Sequence, residues 1–228
     1  NKWMFHYRWH YEPDQVSAAD RIVRGMMPGA AEADIAAMAK SIRERMVPRL
    51  SFVGSSAATK EPLAASFRPT LDLLTRHFGS RPFLFGTRPV FADFGLFAQF
   101  HQALTDPTAG ALMRATAPKV VAWTTRMLAP KPEGEVESWD RLAPTLRPLL
   151  KDEVGARFLP WSTANAAALA AGQSSFSVAL DGWNFGQEPQ KYHARSLADL
   201  KARYAAVPDR KQLDAILSDA ACLGWLRS

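Results

Sequence analysis

The sequence has one cysteine, Cys222, in 228 residues. That excludes an internal disulfide framework, and a reducing, cytoplasmic setting is the expectation, with Cys222 a small buried thiol. Long hydrophobic runs are missing too: stretches such as Ala164–Ala171 are far shorter than the roughly 20 residues a bilayer requires, and no charged-then-apolar leader opens the chain. No membrane partner is expected. There is no Gly-rich phosphate loop and no Gly-x-Ser-x-Gly elbow, which leaves nucleotide-binding, kinase and hydrolase readings without support. The net charge is +6, with 28 Lys and Arg scattered among 22 acids. No basic run exceeds two residues, so the charge reads as solvated surface and no nucleic-acid partner is expected.

What is present is helical periodicity. Hydrophobic residues are 47% and charged residues 22% of the chain, enough for a real core and too few charges for disorder. Period-2 patterns are almost absent, so the expected fold class is all-α. Trp3 to Tyr11 is aromatic-rich and Pro13 is expected to stop it, with Ser17-Ala18-Ala19-Asp20 opening the next helix. From Ala31, residues Ile35, Met38, Ala39, Ile42 and Met46 make one apolar stripe. Phe67, Leu71, Leu74 and Phe78 make the next, and Gly79 is placed to end it in a left-handed cap. Phe91, Phe94, Leu96, Phe97 and Phe100 surround their axis, which predicts a central helix buried on most faces, with Asp93 meeting the free amides of its first turn. Pro118 opens a helix faced by Val120, Val121, Thr124, Met127 and Leu128.

The turn-rich run Ala129-Pro130-Lys131-Pro132-Glu133-Gly134-Glu135 sets a boundary: residues 1–131 form the helical core, and 132–228 a helical extension packed on the same domain. In the extension, helices are expected from Leu142 to Phe158 and from Trp161 to Ala171, the latter ended by Gly172. A loop from Ser174 to Trp183 follows. Two last helices carry the stripes Tyr192, Leu197, Leu200, Tyr204 and Leu213, Ile216, Leu217, Ala220, with Val207-Pro208-Asp209 between them.

At Phe83-Leu84-Phe85-Gly86-Thr87-Arg88-Pro89-Val90-Phe91-Ala92-Asp93 the chain resembles the C-terminal domain of the glutathione S-transferase family. There a glycine-bearing turn precedes a helix whose start carries a capping box and an Ala-Asp pair. Gly86, Ala92 and Asp93 match position by position, as folding residues and not catalytic ones. Val90 departs from the pattern, since the family places Ser or Thr at that N-cap, so Asp93 is expected to rely on backbone amides alone. By helix order the resemblance runs from Trp3 to about Ala129, and the tail is similar to a longer bacterial branch of the family. It implies a C-terminal-like helical bundle, glutathione as co-substrate of the intact protein, a small hydrophobic electrophile as substrate, and a homodimer. The family's thioredoxin-like domain, which activates glutathione, has no counterpart in these residues. The chain opens without an initiator Met and already inside a helix-like pattern, so it reads as part of a longer protein, and its catalytic residue stays unassigned.

In that family the first helix of this domain lines the electrophile pocket, which directs attention to Trp3–Tyr11. Trp3, Tyr7 and His10 lie at i, i+4 and i+7 with His6 beside them, one helix face of aromatic bodies with polar tips. These four are the candidate substrate-binding residues. Phe5, Trp9 and Glu12 are expected to pack the opposite face on the domain. A bland alternative is that all these aromatics are core or interface. His6 and His10 have the i, i+4 spacing of a metal pair, but Arg8 lies between them where a zinc-protease helix carries glutamate, so no metal is assigned. The alternative to an enzyme is a non-catalytic, interaction or scaffold module of the same fold.

Overall fold

The computed structural model describes residues 2–227. It divides into two compact units, Asn1–Glu137 and Ser138–Ser228, so the boundary falls after residue 137 and not after 131. Residues 135–137 stay with the first unit because the Glu137 amide donates to the Phe85 carbonyl at 2.7 Å and the Glu135 carbonyl accepts from the amide of Thr87 at 3.0 Å.

The first unit contains α1 (Lys2–His10), α2 (Glu12–Met26), α3 (Glu32–Met46), a 3-10 turn (Pro48–Val53), α4 (Lys60–Phe78), α5 (Phe91–Thr105), α6 (Pro107–Thr116) and α7 (Pro118–Arg126). Pro13, Pro107 and Pro118 all sit in first turns, where an amide would lack an intrahelical partner anyway and the fixed φ suits a helix. Pro13 therefore opens α2 at Glu12 and does not stop α1, contrary to the expected restart at Ser17. Trp9, Ala18, Ala19, Val23, Ile35 and Ile42 close one core cluster. Met38 turns outward from it. The other apolar centre stacks Phe78 on Trp123 at 4.8 Å and sets Phe100 edge-on to the same indole at 6.2 Å. Burying each of these side chains is worth roughly 1.5–3 kcal/mol.

Two expectations in this unit are corrected. Gly79 ends α4 in the right-handed region, φ −61°, and no left-handed cap forms. Helix α5 is not buried on most faces: Asp93, Phe100 and Ala103 are buried, while Phe91 is 88% and Phe94 47% exposed. A helix has only one side toward a core, and α5 carries more phenylalanines than that side can hold.

Asp93 organises the start of α5. Its Oδ2 accepts from the Val90 amide at 3.0 Å, and Oδ1 accepts from the Leu84 amide at 2.9 Å and from the Trp123 indole N–H at 3.1 Å. Valine has no side-chain acceptor, so only the carboxylate half of a capping box exists. Asp93 does not rely on backbone alone, because the indole is its third donor. The preceding loop closes through Gly86, whose φ of 132° is left-handed and whose absent Cβ would lie 2.6 Å from the Glu135 carbonyl oxygen, a place only glycine fills.

In the second unit α8 (Trp139–Leu149), a π-helical stretch (Leu150–Phe158) and α9 (Leu159–Ala170) run on continuously. Gly172, φ 65°, ends α9. Strands β1 (Phe176–Leu180) and β2 (Trp183–Gln187) pair antiparallel where a loop was expected. Asp181 and Gly182, at φ 50° and 79°, supply the two left-handed positions of a tight hairpin turn. The Asp-Gly pair flanked by alternating Phe176, Val178 and Leu180 was the signal. The fold class is all-α apart from this hairpin. Helices α10 (Lys191–Ala205), α11 (Lys211–Asp219) and α12 (Leu223–Arg227) follow. Leu159, Leu197, Tyr204, Ala220, Cys222 and Leu226 form the core. Tyr192 lies outside it, exposed. Burial pushes the Cys222 thiol up, which keeps it protonated and unreactive.

Asp93→Ala leaves three donors without an acceptor and should lower unfolding free energy by roughly 3–9 kcal/mol in urea titration, since each orphaned buried donor costs about 1–3. Asp93→Asn, which keeps one acceptor, should lose less.

Candidate functional site

Helix α1 is a nine-residue strut packed by α2, α4, α5, α6 and the 3-10 turn. So short a helix is not stable by itself, and its neighbours hold it. Trp3, on the α4 side, is half-buried; its indole donates to Ser66 Oγ at 2.8 Å and its ring tilts on Phe67 at 5.3 Å. Tyr7 is buried, with ring neighbours Phe67 and Tyr11 both at 5.5 Å. His6 is 0% exposed, and its Nδ1 shares a hydrogen with Ser55 Oγ at 2.8 Å. His10 stacks on His6 at 4.8 Å, 19° from parallel, and remains half-buried.

The four candidate residues are thus brought together on one side of α1. They are not an open aromatic face, because α4 and the segment around Ser55 cover Tyr7 and His6. Phe5 and Trp9 pack on the α2–α3 cluster as expected. Glu12 does not join them: it starts α2 and points to Arg43 at 3.8 Å from an exposed position. What remains accessible is an edge formed by Lys2, Trp3, His10 and Tyr11, all half-buried.

Lys2, Ser55 and Tyr11 belong to this cluster and were not singled out in the sequence. Ser55 is 49 positions from His6, a separation that carries no periodic signal. Lys2 donates from Nζ to the Val53 carbonyl at 2.9 Å, and burial lowers its pKa to about 7. Burial, then the Tyr11 phenol, push the Tyr7 hydroxyl up to about 12. Burial, then His10, lower His6 to about 4, so at neutral pH the His6 ring is uncharged.

The matching helix-start residues lie elsewhere in the unit. Asp93 is buried, Gly86 closes its loop, and Ala92 is exposed on the first turn of α5. Their contacts are structural. His77 is buried, with Nε2 bonded to the Leu84 carbonyl at 2.8 Å, another strut of the same loop.

On its far side α1 is anchored by charge. Arg8 Nε donates to Asp106 Oδ2 at 2.9 Å and its Nη2 to the Gln102 carbonyl at 3.0 Å, while Arg21 reaches Asp106 Oδ1 at 2.6 Å. Asp14 accepts from the Thr108 amide at 2.9 Å and from its hydroxyl. Burial pushes the Asp106 carboxyl up against the pull of both guanidiniums. Breaking a buried pair strands a charge. Asp106→Ala should therefore lower stability by roughly 3–5 kcal/mol in thermal or urea unfolding. Asp20→Ala, which removes an exposed partner of Arg24, should change it by less than about 1 kcal/mol.

Residues 32–126 match the family model of the glutathione S-transferase C-terminal domain. No curated protein and no solved structure gives a match. The matched segment holds α3 through α7, with Gly86, Ala92 and Asp93 inside it, while α1 and the second unit lie outside. No helix among the described residues is long and apolar enough to cross a membrane. Family model, helix order and the Asp93-centred helix start agree: over residues 32–126 the chain is similar to the glutathione S-transferase C-terminal domain.

Proposed function

We propose that the chain is the helical part of a glutathione transferase-like protein in which α1 supplies one wall of the pocket for a small hydrophobic electrophile. The match of residues 32–126 to the glutathione S-transferase C-terminal domain carries this reading. The side chains assigned to the wall are Trp3, His6, Tyr7 and His10. Trp3 and His10 would touch the substrate from the accessible edge; Tyr7 and His6 would hold them in place from beneath. In this reading reduced glutathione is the co-substrate of the intact protein, and its thiol is activated outside these residues. The helices contribute orientation of the electrophile, an effect of position and not of acid–base chemistry. A cytoplasmic homodimer belongs to the same proposal.

A second reading, an interaction module without activity, is favoured by one observation. Phe91 and Phe94 stand exposed one turn apart on α5, apolar surface that a partner could cover.

In the intact protein, Trp3→Ala should raise KM for an apolar aromatic electrophile about tenfold with kcat little changed, the signature of lost uniform binding. Unchanged kinetics would remove Trp3 from the wall. Titrating reduced glutathione into the 228-residue chain should give no saturable heat at millimolar ligand. Saturable binding would show that these helices hold glutathione themselves and would overturn the division of labour.

A further inference from the structure

We propose that α1 is an acid-released clasp: buried His6, stacked on His10 and bonded to Ser55, holds the helix against the Ser55 segment only while its ring is neutral, so acidification frees α1 and opens the aromatic site.

The argument starts from placement. His6 has no exposed surface. Its Nδ1 is bonded to Ser55 Oγ, and its Nε2 is buried with no hydrogen-bond partner. The two imidazoles lie nearly parallel at 4.8 Å, a contact that suits uncharged rings and opposes two cations. A proton at the orphaned Nε2 would create a cation with neither exposed surface nor a protein acceptor to receive it, which is among the costlier events in a protein interior. The alternative open to the molecule is to carry that proton into solvent by letting α1 go. Because α1 has nine residues and no helical stability of its own, release would unravel it.

The groups around the stack do not offset this charge. On α1 they are Lys2, Tyr7 and His10, followed by Tyr11. The hydroxyl of Ser55 faces His6 from the segment after the 3-10 turn. Arg68 of α4 faces Tyr7, and Glu61 of α4 and Asp14 of α2 face Tyr11. For His6 itself the causes are burial and His10, neither a carboxylate. Lys2 titrates in a higher window, its pKa lowered from 10.5 to about 7. It works in the same direction as His6 but adds only about fourfold between pH 7.5 and 5, almost all of it above pH 6. Asp106, pushed up by burial, binds its proton more tightly folded than unfolded, so its linkage has the opposite sign.

The direction follows from linkage. The His6 pKa falls from 6.5 to about 4 in the folded state. The clasp is at full strength above about pH 6.5 and weakens progressively toward pH 4. Over pH 7.5 to 5 those two values shift the equilibrium toward release by roughly 30-fold. The opening itself rests on packing; only its consequence, exposure of a substrate wall, rests on the function proposed above.

Amide hydrogen exchange of the full chain at pH 7.5, 6 and 5, corrected for intrinsic rates, reads the effect directly. Protection across residues 2–10 should fall roughly 100-fold between pH 7.5 and 5, about 30-fold of it from His6 and about fourfold from Lys2, while α4 and α7 keep theirs. In His6→Gln, which can keep the Ser55 bond but cannot titrate, protection of 2–10 should keep only the roughly fourfold fall that Lys2 supplies. Equal loss in wild type and variant, or no loss in wild type, overturns the proposal. If His6→Gln folds poorly, long-range 1H–15N NMR of the wild-type His6 ring decides. A ring that stays neutral until α1 opens supports the clasp, and one that titrates near 6.5 with α1 in place overturns it. None of these readouts uses glutathione or an electrophile, so failure of the pocket reading would leave them intact.

Discussion

One carboxylate holds three parts of the first unit in register. Asp93 accepts from the Leu84 amide in the loop, the Val90 amide at the α5 N-terminus and the Trp123 indole on α7. A buried carboxylate is tolerable only with donors converging on it, and those donors come from three separate chain segments. Trp123, fixed by that bond, then presents one face to Phe78 and an edge toward Phe100, so the aromatic core between α4, α5 and α7 inherits its geometry from Asp93. The Gly86 turn and the His77–Leu84 bond hold the same loop from its other side.

Helix α1 is built on a different principle. It has too few residues to persist alone, and each of its sides is tied to a different neighbour: Arg8 to Asp106, Trp3 to Ser66, His6 to Ser55, and Phe5 with Trp9 to the α2–α3 cluster. Such an element is ordered by its surroundings and is sensitive to any group whose charge those surroundings cannot accept. That sensitivity and the accessible aromatic edge occur on the same helix, which couples recognition to stability at one place.

Much of the helical architecture was legible in local pattern. The stripes through Ile35 and Ile42 and through Phe67, Leu71 and Leu74 depend on spacing alone, and they mark the faces that the core covers. Asp93 was legible as a helix-start residue for the same reason. The hairpin at Asp181-Gly182 is present in the turn residues, but the Ser-rich Ser174–Ser177 run before them has the composition of a loop, and the pairing of Phe176–Leu180 with Trp183–Gln187 is what makes it a strand. Pro13 was ambiguous by nature: the same ring that breaks a helix interior starts a helix at its first turn, and local sequence does not say which.

The sequence by itself determined the periodic helices, the helix-start residues Gly86, Ala92 and Asp93, and the single thiol that forbids a disulfide framework. Only the tertiary structure decided which aromatics are wet. Phe91 and Phe94 have the composition of a core and stand in solvent, whereas His6 and Arg8 have the composition of a surface and are buried. Hydrophobic burial depends on what lies opposite a side chain, and the partners of these residues, Ser55 for His6 and Asp106 for Arg8, are 49 and 98 positions away. No local pattern encodes a contact at that range; it exists once the chain has folded.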